Sequence, residues 1–423
     1  MIQPRILIFT HDGRGLGHLR RLSRLAAALQ GRASVLFLCG HREASWLVPK
    51  ECEFVHIPAR DSIEERRSRQ WGRVPFVPEK SLIGKRTRSA VMAAVFENFQ
   101  PHAIITDYLP LGMDDEIAQF VTGGKGCRKY FISRGILGSP ENVYREVLTP
   151  ASLDALRRHY HMILVMSDFK IIDMATEYSM EPSIADKLVY VGYAAGSVAP
   201  SQTAEARKER GLQEGDKWVL CTAGGGKDGE ALIERCWEIA QIFPECHFDI
   251  IVGPRSRLSL AADVWLDGRR IRLVNEDSQH LPVYEAAADI VICRGGYNSL
   301  MESLVGQAKI IVAPIATDYE QVHHARRLAA YKDITVVDRL SDLDLALEQV
   351  LQSKSSTKNR LGEIDMNGIR IGASMILADL ALHGAAGIAD GEPAQPEESL
   401  PTAMRITTSK KEGPDHGQKN VSV

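Results

Sequence analysis

Short apolar runs alternate with longer amphipathic stretches along most of the chain, the pattern of buried parallel strands joined by helices. In the first half, Arg5 to Thr10, Val35 to Leu38, Phe54 to Ile57, Ala103 to Thr106, Tyr130 to Ser133 and Met162 to Met166 read as strands. The stretch from His18 places Leu19, Leu22, Leu25, Ala26 and Leu29 on one helical face, and further helices are expected at 42–47, 89–99 and 114–120. The second half repeats the pattern, with strands at 218–222, 248–252, 271–274 and 310–312 and another ending at Cys293. Its helices are expected at 229–241, from Asn298 and Ser299 as candidate caps, from about Glu320, at 343–351 and at 361–383. The fold class is therefore α/β, two units with parallel, helix-covered sheets at 1–190 and 191–352, joined near a linker carrying Pro200. A helical segment at 353–384 and a tail at 385–423 complete the chain. The tail is dominated by Gly, Pro, Glu, Ser and Lys and is expected to be disordered.

Polar residues collect where strands end, the edge at which open parallel sheets bind ligands. After Cys293 come Arg294, Gly295 and Gly296, a turn that lets a diphosphate approach backbone N–H groups at a helix start, where the helix dipole also favours anions. Glu302, roughly a turn into that helix, is a candidate acceptor for both hydrogens of a ribose diol. Asp318, Glu320 and Gln321 form a second acceptor-rich edge suited to sugar hydroxyls. Helix caps and solvated turns are the plain alternative for each. Earlier, Ala223-Gly-Gly-Gly-Lys-Asp228 precedes another helix, so Gly224, Gly225 and Gly226 free its N–H groups and Lys227 adds a point charge beside a leaving diphosphate.

With 423 residues there is ample material for two cores. The net charge of -3 lacks the basic bias of a nucleic-acid binder. Seven scattered cysteines without paired spacing suit a reducing compartment and give no zinc site. The first residues run directly into a strand without a basic leader, and no apolar run reaches membrane-span length, so a cytoplasmic location is expected. The segment 60–88 is basic, with nine Lys or Arg against four acids and Trp71, Val74, Phe76 and Val77 interleaved. It reads as an acceptor-side loop suited to phosphate or an anionic lipid surface, the alternative being a solvated loop.

Cys293-Arg-Gly-Gly-Tyr-Asn-Ser-Leu-Met-Glu302, then Pro314, then Asp318-Tyr-Glu-Gln321 with Ala325, resembles the donor-binding signature of glycosyltransferase family 28, whose members include the bacterial lipid II synthase. The resemblance implies a GT-B fold, two facing Rossmann-like domains with the donor held by the second and a final helix crossing back to the first. It implies an inverting hexosyltransferase without a metal or other cofactor, using a nucleotide diphosphate sugar such as UDP-GlcNAc as co-substrate and a small-molecule or lipid-linked acceptor. Contact with the inner membrane face through 60–88 would follow for a lipid-linked acceptor.

In that frame Gly13-Arg-Gly-Leu-Gly-His18 corresponds to the glycine-rich loop of GT-B transferases, several of which carry a histidine at this place. Gly15 and Gly17 would adjoin the donor, and His18, kept neutral by the helix N-terminus, would be the base. Asp107, ending another strand, would orient it, and Arg134 would touch an anionic acceptor or the diphosphate. Ser278 stands nearest the position that meets the base through its backbone. Two departures stand out. Gly226 occupies an expected serine position, and Gly192-Tyr-Ala-Ala195 lacks the arginine that engages the diphosphate in the family, which leaves Lys227 or Arg294.

Three other readings carry their own marks. A dinucleotide site would want an acid at the end of the second strand, which here ends Leu38-Cys-Gly-His41. A nucleotide-sugar hydrolase or 2-epimerase would share the Gly-x-Gly-His turn, and a non-catalytic sugar-nucleotide binder would keep the donor signature without chemistry.

Overall fold

The computed structural model describes residues 3–10, 16–41, 44–58, 60–62, 73–75, 81–124, 126–224, 229–253, 258, 263–268, 270–275, 280–353 and 360–383. The first-half strands are β1 (Arg5–Thr10), β2 (Ser34–Cys39), β3 (Glu53–His56), β4 (Arg60–Ser62), β5 (Arg73–Pro75), β6 (Ala103–Asp107), β7 (Arg128–Ser133), β8 (Met162–Val165) and β9 (Leu188–Tyr190). Those of the second half are β10 (Lys217–Thr222), β11 (Cys246–Val252), β12 (Val264–Leu266), β13 (Ile271–Asn275), β14 (Ile290–Cys293), β15 (Lys309–Val312) and β16 (Ile334–Val336).

They form two seven-stranded sheets, β3-β2-β1-β6-β7-β8-β9 and β12-β13-β11-β10-β14-β15-β16, and a small antiparallel pair, β4-β5. Every neighbouring pair in the first sheet is parallel. In the second, only the edge strand β12 runs antiparallel. The chain order reverses beside β1 and β10, so each half has a switch point between its central strands, where parallel sheets open a crevice at their carboxyl ends.

The apolar strands are continuous rather than alternating because helices cover both faces. Ile6 and Ile8 enter one cluster while Leu7 and Phe9 enter another on the opposite face. The first of these clusters runs on through Leu300, Met301 and Leu304 of the second half, so one apolar core bridges both sheets. Helix Gly368–Leu382 closes the chain against helix Gly17–Leu29 of the first half. Asp379 there accepts from Arg128 through both oxygens at 2.7 Å and from the Tyr130 hydroxyl at 2.6 Å. The crossing is tight at its start: a Cβ on Gly368 would lie 2.1 Å from the Gly192 carbonyl oxygen, and Gly192, at φ +85°, is itself pressed against Asp365.

Several boundaries differ from expectation for local reasons. The helix expected at 89–99 begins at Ser81, and the 60–88 segment contains β4 and β5. The one expected at 114–120 is broken, because Asp114 and Asp115 adopt positive φ and the helix starts at Ala118. Pro200 opens helix Pro200–Glu209 instead of sitting in a linker. Helices Pro140–Glu146 and Pro150–Arg158, capped by Ser139 and Thr149, lie between β7 and β8. Among the described residues no helix is long and apolar enough to cross a membrane, and all seven cysteines are buried and outside any disulfide.

Candidate active site at the seam between the sheets

The carboxyl ends of β1 and β6 deliver one cluster. Asp107 is the last residue of β6 and is 2% exposed. Its Oδ2 lies 3.1 Å from His18 Nδ1, in the first turn of helix Gly17–Leu29, and accepts from the Arg21 guanidinium one turn further on. Nδ1 also lies 3.1 Å from a guanidinium nitrogen of Arg21, which can only donate; with the imidazole proton on Nδ1 and directed at the carboxylate, Nε2 is the basic nitrogen. Burial carries the His18 pKa down to about 4, with Arg134 and Arg21 adding to the depression and Asp107 opposing it. For Asp107 burial pushes upward, but the Arg21 guanidinium and His18 outweigh it and hold the carboxyl far below the usual carboxylate range. Tyr108 follows at φ +67°, its ring 5.2 Å from that of His18, and the Arg134 guanidinium lies over the Tyr108 ring at 5.4 Å from its centroid. The result is an imidazole that is neutral at physiological pH and fixed by a buried carboxylate.

The second half brings its own sheet edge opposite. Gly295 has φ +78°, and a Cβ there would meet Val312 at 2.6 Å, so only glycine lets β14 turn this close to β15. Gly296 caps helix Tyr297–Val305 with open space where a Cβ would project, leaving the helix start accessible. Asn298 and Ser299 do not cap it. Asn298 instead donates through Nδ2 to the Gly17 carbonyl at 3.0 Å, which ties the start of this helix to the start of the helix bearing His18. Tyr297 reinforces the seam, donating to the Met166 carbonyl at 2.6 Å and accepting from the Ala194 N–H at 3.0 Å.

Several acids expected to meet a donor have protein partners in this structure. Glu302 was expected to accept both hydrogens of a ribose diol. It is 2% exposed, 3.2 Å from Arg20 through Oε2, and paired with the Arg24 guanidinium through Oε1. Both arginines come from the first half. Glu285, 0% exposed, packs its carboxyl beside Glu302, and burial together with that neighbour pushes its pKa well above the usual range. Glu320 meets Arg134 across the seam at 2.7 Å. Burial lifts its pKa to about 7 against the pull of Arg134. Asp318 and Gln321 are engaged locally: Asp318 accepts from the Gln321 backbone at 3.1 Å and from its side-chain amide at 2.9 Å, while Gln321 Oε1 accepts from the Ile315 N–H at 2.9 Å. Arg294 donates to the Ala313 carbonyl at 3.1 Å.

Thus the structure gathers His18, Asp107, Gly17, Arg134, Glu302 and Glu320 at one seam, with Gly295 and Gly296 at the adjoining helix start. Gly224, at φ +76°, ends the described part of its loop. Gly15, Trp71, Gly225, Gly226, Lys227 and Ser278 lie outside the described residues. Sequence reasoning did not single out Arg20, Arg21, Arg24, Tyr108, Glu285 or Tyr297. The signal for the arginines was present: three guanidinium side chains interleave the leucine stripe of one helix, too close to its buried face for plain solvation.

Residues 219–367 match the glycosyltransferase family 28 C-terminal domain. No curated protein matches the chain at a significant level of sequence similarity. Among solved structures, a UDP-glucosyltransferase from Polygonum tinctorium capable of glucosylating indoxyl superimposes with a TM-score of 0.59 at 14% identity, over 90% of this chain and 99% of its own. The glycotransferase of kitacinnamycin gives 0.58 at 15%, over 90% and 99%. The glycosyltransferase SnogD from Streptomyces nogalater gives 0.54 at 15%, over 90% and 100%. The chain therefore has the GT-B fold, with a second half that resembles the C-terminal domain of family 28.

Proposed function

We propose that the protein is an inverting glycosyltransferase that moves a hexose or N-acetylhexosamine from a nucleotide diphosphate sugar, UDP-linked in the first instance, to an acceptor hydroxyl. The observation that carries this is the juxtaposition of a neutral, carboxylate-held His18 with the start of helix Tyr297–Val305, the two linked by Asn298 and Gly17. The diphosphate lies against the N–H groups after Gly296 and the loop from Gly224 to Lys227; Glu302 takes the ribose and Glu320 with Gln321 the sugar, once their present partners release them. His18 Nε2 removes the acceptor proton, the acceptor oxygen attacks the anomeric carbon from the first-half side, and the bond to the diphosphate breaks with inversion. Helix N-termini stabilise the leaving diphosphate, so the reading includes no metal or other cofactor. Acceptor binding falls to the first half, with Trp71 and the 60–88 segment on that side; a lipid-linked acceptor would bring the protein to the cytoplasmic membrane face.

Incubation with UDP- and thymidine diphosphate sugars, with and without an acceptor panel, followed by mass spectrometry, tests the reading. A glycosylated product lost in His18→Ala with donor affinity retained supports it. Rapid release of free sugar without acceptor points to a hydrolase, and donor binding without turnover points to a non-catalytic binder.

A further inference from the structure

The family arginine expected near the crossover has no counterpart in Gly192-Tyr-Ala-Ala195, and this segment is built for another purpose. Gly192 packs on Asp365, Tyr193 is buried with its hydroxyl 3.0 Å from His324 Nε2, and the Ala194 N–H donates to Tyr297. Arg294 is turned to the Ala313 carbonyl. Arg21 is committed to Asp107 and stacks over Tyr297 at 5.4 Å. Arg134 is held by Glu320.

Arg20 and Arg24 are differently placed. They lie one turn apart on the helix that carries His18, so their side chains share a face. Both converge on a single carboxylate, Glu302, in the helix that starts at Gly296. The Glu285 carboxyl lies beside that carboxylate, its pKa raised by burial and by the neighbouring Glu302. The arginine side chains are 14% and 22% exposed against 1% for Glu302, so they form the solvent-facing rim and the carboxylate the floor. Glu302 lies six residues along the helix from Gly296, roughly 9 Å at 1.5 Å per residue, within the swing of a long flexible arginine.

We propose that Arg20 and Arg24 are the diphosphate-binding pair of this protein, parked on Glu302 when no donor is bound and transferred to the two phosphates of a nucleoside diphosphate when one enters. Donor binding is then an exchange of partners: the ribose diol takes the Glu302 oxygens as the guanidinium groups move to phosphate oxygens, which they bind in bidentate fashion. The exchange joins the two halves through the donor itself, since the arginines belong to the first sheet's helix and the ribose acceptor to the second. The inference rests on the glycosyltransferase reading above and adds to it the identity of the charges that neutralise the leaving group.

The test is the ratio of affinities for UDP over UMP and for thymidine diphosphate over thymidine monophosphate, by calorimetry, in the full chain. The wild type is expected to favour the diphosphates strongly. Arg20→Met with Arg24→Met should lower diphosphate affinity by about tenfold per arginine while monophosphate affinity changes little, since each lost contact is a charge-assisted hydrogen bond. Because that double variant leaves Glu302 buried without a partner, a triple variant adding Glu302→Gln supplies a second measurement with the stranded charge removed. Its ratio should collapse equally, whereas Glu302→Gln alone, which weakens ribose binding for both nucleotides, should keep the ratio at the wild-type value or above. A diphosphate preference that survives in the double and triple variants overturns the inference and leaves the functional reading intact. A wild type that binds none of the four nucleotides overturns both.

Discussion

Replacing Asp107 with asparagine changes one oxygen for an amide and leaves the shape of the β6 terminus intact. The lost charge is the partner of Arg21 and the acceptor for His18 Nδ1, and both Asp107 and Arg21 are almost completely buried. Removing one member of a buried pair costs about 3–5 kcal/mol, because the remaining charge stays desolvated. The first half should therefore unfold at measurably lower denaturant while still folding at 25 °C. The larger effect is on chemistry. An asparagine presents a donor as readily as an acceptor, so the carboxylate's preference for the Nδ1–H tautomer is lost and kcat should fall by roughly 10²- to 10⁴-fold. The assay is the pH profile of kcat/KM for sugar transfer, with nucleotide affinity measured alongside. The wild type should show an acid limb near pH 4, not 6.5, because burial depresses His18. Asp107 opposes that depression, so its loss moves the limb further down while lowering the plateau, with donor affinity nearly unchanged. Stability must be followed in parallel. A histidine with a depressed folded pKa contributes stability that is present above about 6.5 and is lost as pH falls through about 4. A wild-type limb near 6.5, or an asparagine variant with unchanged turnover, would refute the assignment of His18 as the base.

Other consequences are more structural. Glu320 has a folded pKa of about 7 against 4.5 for the free side chain, so the stability it contributes is present below about 4.5 and lost as pH rises through 7. Denaturant titrations across that window should show a decline of roughly 3 kcal/mol at most, absent in Glu320→Gln. Gly368→Ala should destabilise the docking of helix Gly368–Leu382, since the added Cβ would lie 2.1 Å from the Gly192 oxygen; limited proteolysis should release that helix far faster than in the wild type. Asp379→Asn removes a bidentate partner of Arg128 and the acceptor of Tyr130, and should lower stability by about 1–3 kcal/mol in equilibrium unfolding.

The strands were legible because helices cover both sheet faces and make them continuously apolar: Ile6 to Phe9 and Ile290 to Cys293 admit few other readings. Glycines at strand ends marked the seam for a similar reason, since Gly295 turns where a side chain would strike Val312. Helices Pro140–Glu146 and Pro150–Arg158 carried a cap followed by proline and could have been read from Ser139 and Thr149. The partners of the charged residues could not. Asp318 and Gln321 satisfy one another within a single turn, and Asn298 crosses to Gly17, a contact separated by 281 positions. The pairing of Glu302 with Arg20 and Arg24 left no local mark, because both arginines lie about 280 residues away in sequence, the separation from Arg24 being 278. A local pattern identifies a carboxylate at a helix turn; only the docking of the two halves decides which cation reaches it.

Crystallography of the full chain with UDP tests the central claim most directly. The account predicts the diphosphate at the start of helix Tyr297–Val305, beside Gly296 and facing His18, with the ribose diol on Glu302. A nucleotide bound at any other surface, or one at this seam whose ribose does not touch Glu302, would contradict it.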